Sequence, residues 1–395
     1  MNHPENRTEQ SQNLGASLVT TGFCDCWVYR GASLLVTEVR SNKSAMPTNP
    51  RARVTFAPNE RQTRWRYRHR VRAWQVQRHG APRDVLQLVE IDEPTPGPGE
   101  VRLRVKAAAI GLPDAFMCQS TYALTPPLPF VPGQEVCGVV DAVGPDVELA
   151  LGTRMMATTC FMDGRGGFAE VTTARVATAY RVPADMTDAD AAAFRIGYST
   201  AWLGLVRRGE LRAGEWLVVL GAAGGSGATA VQLGRALDAR VNAVASGTEK
   251  LEFCRRMGAH VVIDRSTESV RDAVFAATDG HGADVIYDPV GGDLAEASLR
   301  YIAPRGRILA VGFASGRWVQ TNTAHVVTRN YSLVGVYGTS YTRQENEDDH
   351  EALLALAAQG KLVNFTNTVP FSSLPDAVAA VGAGTVIGKT VVTLD

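Results

Sequence analysis

WLVVLGAAGGSGATAVQLGRAL, residues Trp216–Leu237, is the stretch from which the fold can be read. An apolar run of strand length, Trp216–Leu220, stops at a glycine-rich turn, and an Ala-rich helical segment begins at once. Ala222-x-Gly224-x-x-Gly227 stands where a dinucleotide-binding loop carries G-x-G-x-x-G, with further glycines at 221 and 225. Small residues here let the backbone approach a pyrophosphate, and the helix N-terminus offers N–H donors and a partial positive charge. Gly227 permits close packing of helix on strand. The segment Ala222, Gly224, Gly225, Ser226 and Gly227 is therefore the expected phosphate cradle.

Downstream the same texture repeats. Strands are expected at Arg240–Ala245, Val261–Ile263, Asp284–Tyr287 and Arg307–Val311, with helices at about Gly227–Leu237, Lys250–Met257, Val270–Thr278 and Asp293–Tyr301. Short apolar strands alternating with helices predict an α/β, doubly wound parallel sheet of Rossmann type. Upstream, from Val71, the chain is β-rich with Pro/Gly turns such as EPTPGPGE (Glu93–Glu100). Strands are expected at Ala73–Val76, Leu86–Ile91, Val101–Ile110, Val136–Val143, Arg154–Thr158 and Phe168–Thr172, which suggests a compact barrel. Thr187 caps an Ala-rich helix, Ala189–Phe194, and a second follows at Ser199–Val206. After Leu333 strand-like pieces return with one helix, Glu351–Ala358, and the terminal GKTVVTLD suits a strand rejoining the first domain.

The 395 residues carry 40 Lys+Arg and 40 Asp+Glu, a net charge of zero. That zero conceals +6 in residues 1–70 and −6 in residues 71–395. An acidic main body argues against nucleic acid as a partner. No apolar run approaches the ~20 residues of a membrane helix, and the polar N-terminus lacks a secretory core. Six dispersed cysteines are too few for a disulfide scaffold, so a reducing, cytoplasmic setting is expected. Residues 1–70 show no period and an Arg-rich end (Arg51 to Arg70), and read as a disordered basic extension. Organised sequence starts so abruptly at Val71 that Val71 is the expected true start. N-terminal mass spectrometry tests this, and peptides from residues 1–60 would refute it. The remaining expected divisions are residues 71–190 and 333–395 for the catalytic domain and 191–332 for the nucleotide domain.

The second Rossmann strand bears on the choice of cofactor. An NAD site places an acid at its end, on the ribose 2′-hydroxyl. Here VNAVAS (Val241–Ser246) ends without one, while Ser246, Lys250 and Arg265 stand within reach of a 2′-phosphate. NADPH is the expected cofactor.

Several motifs together carry a resemblance: PPLPFVPGQEVCGVVDAVG (Pro126–Gly144), GGFAE (Gly166–Glu170), the glycine loop, EKLEFCRRMGAHVVID (Glu249–Asp264), DVIYDPVGGD (Asp284–Asp293) and RGRILAVGFASG (Arg305–Gly316). From Val71 onward the chain resembles a zinc-independent medium-chain dehydrogenase/reductase of the quinone oxidoreductase group. The resemblance implies a GroES-like catalytic domain interrupted by a Rossmann domain, an active site in the cleft between them, and a homodimer. Zinc-dependent relatives carry G-H-E where this chain has Gly133-Gln134-Glu135 and a Cys where it has Gly111, so no metal is expected. Without a Lewis acid the substrate must already be electrophilic, such as a quinone or an α,β-unsaturated carbonyl. By resemblance, Tyr122 is the expected hydrogen-bond donor to substrate, with Asp114 a carboxylate near the site. Tyr198, Thr200 and Phe313 match residues along the nicotinamide end, and Lys389 matches a C-terminal lysine near the cofactor. Two departures stand out: Gly111 replaces the family's usual Asn, and Arg195 stands where relatives often have Pro. An enoyl-thioester reductase, with Arg207 and Arg208 as weak candidates for a basic patch, is the alternative enzyme. An NADPH-binding protein with little turnover is the alternative of another class.

Overall fold

The structure, a computed structural model, describes residues 69–338, 341–363 and 365–394. All but the last two residues of the expected basic extension lie outside the described residues. Strands β1 (Arg70–Val76) and β2 (Leu86–Asp92) form an antiparallel pair around a one-turn helix, α1 (Pro82–Val85). β3 (Glu100–Ala109), helix α2 (Leu112–Cys118), β4 (Glu135–Val143), β5 (Arg154–Thr159) and β6 (Val171–Arg181) follow. β3 alternates as its sequence demands: Val101, Leu103 and Val105 are buried, while Arg104 is exposed. It pairs with β4 along its length and with β6 over Glu100–Arg104, so the four strands β3–β6 close on themselves. This closure is the barrel of the catalytic domain.

Helix α3 (Asp188–Trp202) runs on through a π-turn at Leu203–Arg208. The two helices expected here are one. Gly197, between them, packs closely on the helix that carries Thr229: an added Cβ would lie 3.0 Å from Thr229 Cγ2. The nucleotide domain then alternates β7 (Trp216–Leu220), α4 (Gly225–Ala236), β8 (Arg240–Ala245), α5 (Thr248–Arg256), β9 (Val261–Asp264), α6 (Val270–Ala277), β10 (Ala283–Asp288), α7 (Gly292–Ser298), β11 (Ile302–Ala310), α8 (Thr323–Arg329) and β12 (Ser332–Gly335). Every pairing is parallel, in the order β12-β11-β10-β7-β8-β9. The order reverses between β7 and β10, which opens a crevice at the carboxyl ends of those strands, where ligands of such sheets bind. Leu217 to Leu220 are wholly buried, each side chain stabilising the core by about 1.5–3 kcal/mol.

β12 runs past residue 332, and the chain re-enters the first sheet only at β13 (Thr366–Pro370). Between them α9 (Arg343–Ala358) begins eight residues before the expected Glu351, because Thr342 and Glu345 form a capping box. Its first turns are polar and give no apolar period, so only the cap announces them. Helix α10 (Leu374–Gly382) and β14 (Lys389–Thr393) complete the chain, β14 pairing with β3 at Ala107–Ala109. The α/β Rossmann sheet is thus inserted within the catalytic barrel's sheet, as the resemblance implied.

Candidate active site

The strand, glycine turn and helix form where the sequence places them. Gly221 turns the chain at φ +60°, and α4 begins at Gly225 with no side chain capping its N-terminus. The N–H groups of that first turn have no helical partner. Gly227 has no room for a side chain: a Cβ would lie 2.3 Å from the Gly221 carbonyl oxygen. An uncapped twelve-residue helix behind a loop of small residues fits a dinucleotide pyrophosphate. Ser226 Oγ lies 3.0 Å from the buried Tyr287 hydroxyl, and Ala222 donates its N–H to Val244 O. These two residues build the turn.

Lys389 belongs to this corner in a different way than expected. Its ammonium pairs with Glu135, and both side chains are nearly inaccessible. Its aliphatic stem lies against Gly225, where a Cβ would be 3.1 Å from Lys389 Cδ. Glu135 also accepts from the Ile196 N–H (3.1 Å), and Gly388 N–H donates to Ala223 O (2.8 Å). Barrel, α3 and phosphate loop are locked together at one buried ion pair. Glu135 is the member of this lock that sequence reasoning missed.

Beside it, Asp114 is fully buried and accepts from the Gly111 N–H (2.7 Å) and the Gly133 N–H (2.9 Å). Both oxygens are committed to backbone, so it holds the two loops that replace the zinc-ligand segments of relatives. Burial pushes its carboxyl up to about 7, against the pull of the two N–H groups and Lys389. The folded state therefore keeps a proton that the unfolded chain loses above its ordinary value of 3.8. This contribution is full below pH 4 and fades as pH rises through 7. Relative to Asp114→Asn, wild-type stability should fall by about 2–3 kcal/mol from pH 5 to pH 8. Parallel pH–stability curves in urea denaturation would contradict this.

Tyr122 is half-buried next to the Gln134 amide; burial pushes its phenol up and Gln134 acts the other way. Gln134 Nε2 is itself buried with no hydrogen-bond partner. It stands where zinc enzymes carry the ligand His, and in sequence it registers only as that ligand's loss. Phe313, from the loop after β11, stacks on Phe116 of α2 with ring centroids 5.3 Å apart. Trp318 packs against Phe313 at 4.8 Å. This aromatic clasp joins the barrel to the Rossmann domain.

The paired expectation for Tyr198 and Thr200 separates. They lie two residues apart on α3, on opposite faces. Thr200 is half-exposed. Tyr198 instead packs on Phe194 (4.9 Å) and Phe365 (6.3 Å) and lines a cavity of about 240 Å³ with Asp190 and Leu362. At the other end of the crevice Ser246 is half-exposed and Arg265 is exposed. Lys250 Nζ donates to Gly384 O (2.9 Å) near α10, which ties it to the other domain. The parallel register also sets Asp264 beside Ala245, and its carboxylate accepts from the Gly247 N–H (3.3 Å) and Ser266 Oγ (2.5 Å). Those donors, Ser266 first, hold it below the usual carboxylate range. An acid thus reaches the end of β8 from the neighbouring strand, where the sequence places none. Arg207 pairs with Asp349, and Arg208 donates to Gly335 O, so neither forms a free basic patch.

Comparison with known proteins agrees with this architecture. Residues 97–184 match the family described as alcohol dehydrogenase GroES-like domain, and residues 225–359 match zinc-binding dehydrogenase. The quinone oxidoreductase-like protein 2 homolog of Nematostella vectensis is 36% identical over 250 residues, covering 63% of this chain and 68% of that protein. The crystal structure of a probable oxidoreductase from Mycobacterium abscessus is 32% identical with a TM-score of 0.73, covering 83% of this chain and all of that one. Escherichia coli quinone oxidoreductase complexed with NADPH is 25% identical with a TM-score of 0.74, covering 82% of this chain and 99% of that one.

Proposed function

Because this chain belongs to the quinone oxidoreductase group of the medium-chain dehydrogenase/reductase family, we propose that it reduces quinones or activated α,β-unsaturated carbonyls with NADPH. The observation that carries this reading is the unpartnered Gln134 Nε2 beside the Tyr122 phenol in the barrel. When bound, NADPH supplies a hydride to an electron-poor carbon. The chain's own part is to bind, orient and protonate. Ala222 to Gly227 hold the pyrophosphate, Tyr122 and Gln134 donate to the oxygen on which charge develops, and Asp114 keeps the loops carrying them in place. The Phe116–Phe313 stack keeps water from one side of the cleft.

The donor set speaks against zinc. The two carboxylates beside Gln134, Asp114 and Glu135, are committed to two backbone N–H groups and to Lys389. Among the described residues one other cluster of ligand types, Glu100, Cys160 and Asp163, is filled by Arg165, which holds Glu100 through both nitrogens (2.8 and 2.9 Å). NADPH oxidation assayed over quinones, enones and enoyl-CoA thioesters tests the activity. Tight NADPH binding with no turnover on any acceptor would overturn it.

Cofactor choice rests on Ser246 and Arg265, against the charge of Asp264. Arg265→Ala should weaken NADPH about tenfold while NADH changes little, and Asp264→Asn should tighten NADPH severalfold. Equal shifts for both cofactors by calorimetry would sink the assignment.

We place a homodimer contact at β12, an edge strand with one neighbour, where Leu333 is 42% and nearby Val327 77% exposed. Leu333→Asp should halve the mass seen by light scattering, and an unchanged mass would refute the contact. Among the described residues no helix is long and apolar enough to cross a membrane. The described cysteines are buried free thiols, which suits the reducing cytoplasm we infer.

A further inference from the structure

Arg195, the residue that stands where relatives often carry Pro, is buried on α3 with 9% exposure. Its Nη2 donates to Tyr180 Oη (3.1 Å) and Asn346 Oδ1 (3.4 Å), both neutral, while Nη1 is buried with no partner. Among the described residues it pairs with no carboxylate. His350 of α9 is 4% exposed, its ring centroid 4.3 Å from that of Tyr180, and both of its ring nitrogens lack partners. A second guanidinium, Arg343, lies 4.2 Å from the same ring, and Arg195 lies 4.4 Å from it. Arg343 is satisfied by Glu347 (2.6 Å) and the Ala177 carbonyl (2.6 Å).

Of the two guanidinium groups on the Tyr180 ring, Arg343 has a carboxylate partner in Glu347, and Arg195 has none among the described residues. Arginine cannot shed its proton, and a buried unpaired cation is costly. The surroundings register the same excess, since burial and both arginines hold His350 down at about 4. Even neutral, the imidazole offers one N–H donor. Water could complete the hydrogen bonds but not the charge.

We propose that a small monovalent anion of the chloride class binds at Arg195 Nη1, on the side of Tyr180 shared with His350, pinning α9 to α3 and β6. The proposal does not depend on the proposed activity.

The experiment is thermal unfolding of the full chain at constant ionic strength, with chloride replacing gluconate, alongside bromide-soaked crystals. Wild type should show a saturable rise in Tm on the order of 2 °C. Arg195→Met, which keeps an apolar stem, should abolish it. An anomalous bromide peak should lie within hydrogen-bond distance of Arg195 Nη1. A Tm indifferent to chloride, or a dependence that Arg195→Met retains, would overturn the proposal. Should Arg195→Met fail to fold, His350→Phe and the bromide position in wild type decide it. A peak elsewhere and none here counts against it.

Discussion

Gln134→Leu should lower kcat/KM for quinone or enone acceptors by roughly 10²–10³-fold, the usual effect of removing one donor from a developing oxyanion. The substitution keeps the side chain's size and removes its amide. Its amide nitrogen meets no partner beyond the adjacent Tyr122 phenol, so stability should change little. Tyr122→Phe should cost on the order of 10²-fold by the same logic, as a lost proton donor. Because both residues lie in the barrel and away from the phosphate loop, NADPH affinity should change less than about threefold in either variant. Steady-state kinetics with fluorescence titration of NADPH separates the two effects. Activity within threefold of wild type in Gln134→Leu would exclude the amide from the reaction. A parallel collapse of NADPH binding would reassign it to cofactor positioning.

Lys389→Met should destabilise the fold by about 3–5 kcal/mol, since it strands the Glu135 carboxylate in a nearly inaccessible site. Glu135→Gln should cost less, because its amide still accepts from the Ile196 N–H. The double variant Glu135→Gln/Lys389→Met should recover much of the loss, because neither charge is then left unpaired. Urea denaturation of the four proteins gives the coupling energy directly. If Lys389→Met lies within 1 kcal/mol of wild type, the pair is not the lock between barrel and phosphate loop. Methionine preserves the stem against Gly225, so NADPH binding should persist in the folded fraction. A lysine acting chiefly as a phosphate ligand would show the reverse: intact stability and lost affinity.

The legible parts of the fold are the local ones. β7, its glycine turn and α4 follow from apolar length, turn chemistry and helix composition within 22 neighbouring residues. β8, β9 and β10 likewise lie within a residue of their expected places, because burial on both faces demands continuous apolar runs, whereas β11 begins at Ile302, five residues before the expected Arg307. Helix α9 shows where that signal stops. Its polar first two turns carry no period, and the Thr342–Glu345 box, present in the sequence, was the only sign of its start. Tyr198 and Thr200 were separable in principle, since helical periodicity puts them on opposite faces. Reading the segment as two helices, Ala189–Phe194 and Ser199–Val206, hid that period.

Asp264 illustrates the other kind of omission. It ends β9 and so is not in the strand whose terminal acid signals NAD, yet the β8–β9 register lays it beside Ala245. Lys250, Lys389 and Asp114 were all identified as site residues from their positions. Their polar groups meet the Gly384 carbonyl, the Glu135 carboxylate and the Gly111 and Gly133 N–H groups, partners that only the folded chain supplies.

The amino-acid sequence by itself determined the Rossmann sheet, its glycine turn and the barrel strands that precede it, because hydrophobic period, glycine turns and caps act between near neighbours. Only the tertiary structure decided which charged and polar groups are spent on holding the protein together and which remain unpaired, as Gln134 and Arg195 do. That division depends on burial and on partners from distant parts of the chain, and close packing alone brings them within a hydrogen bond of one another.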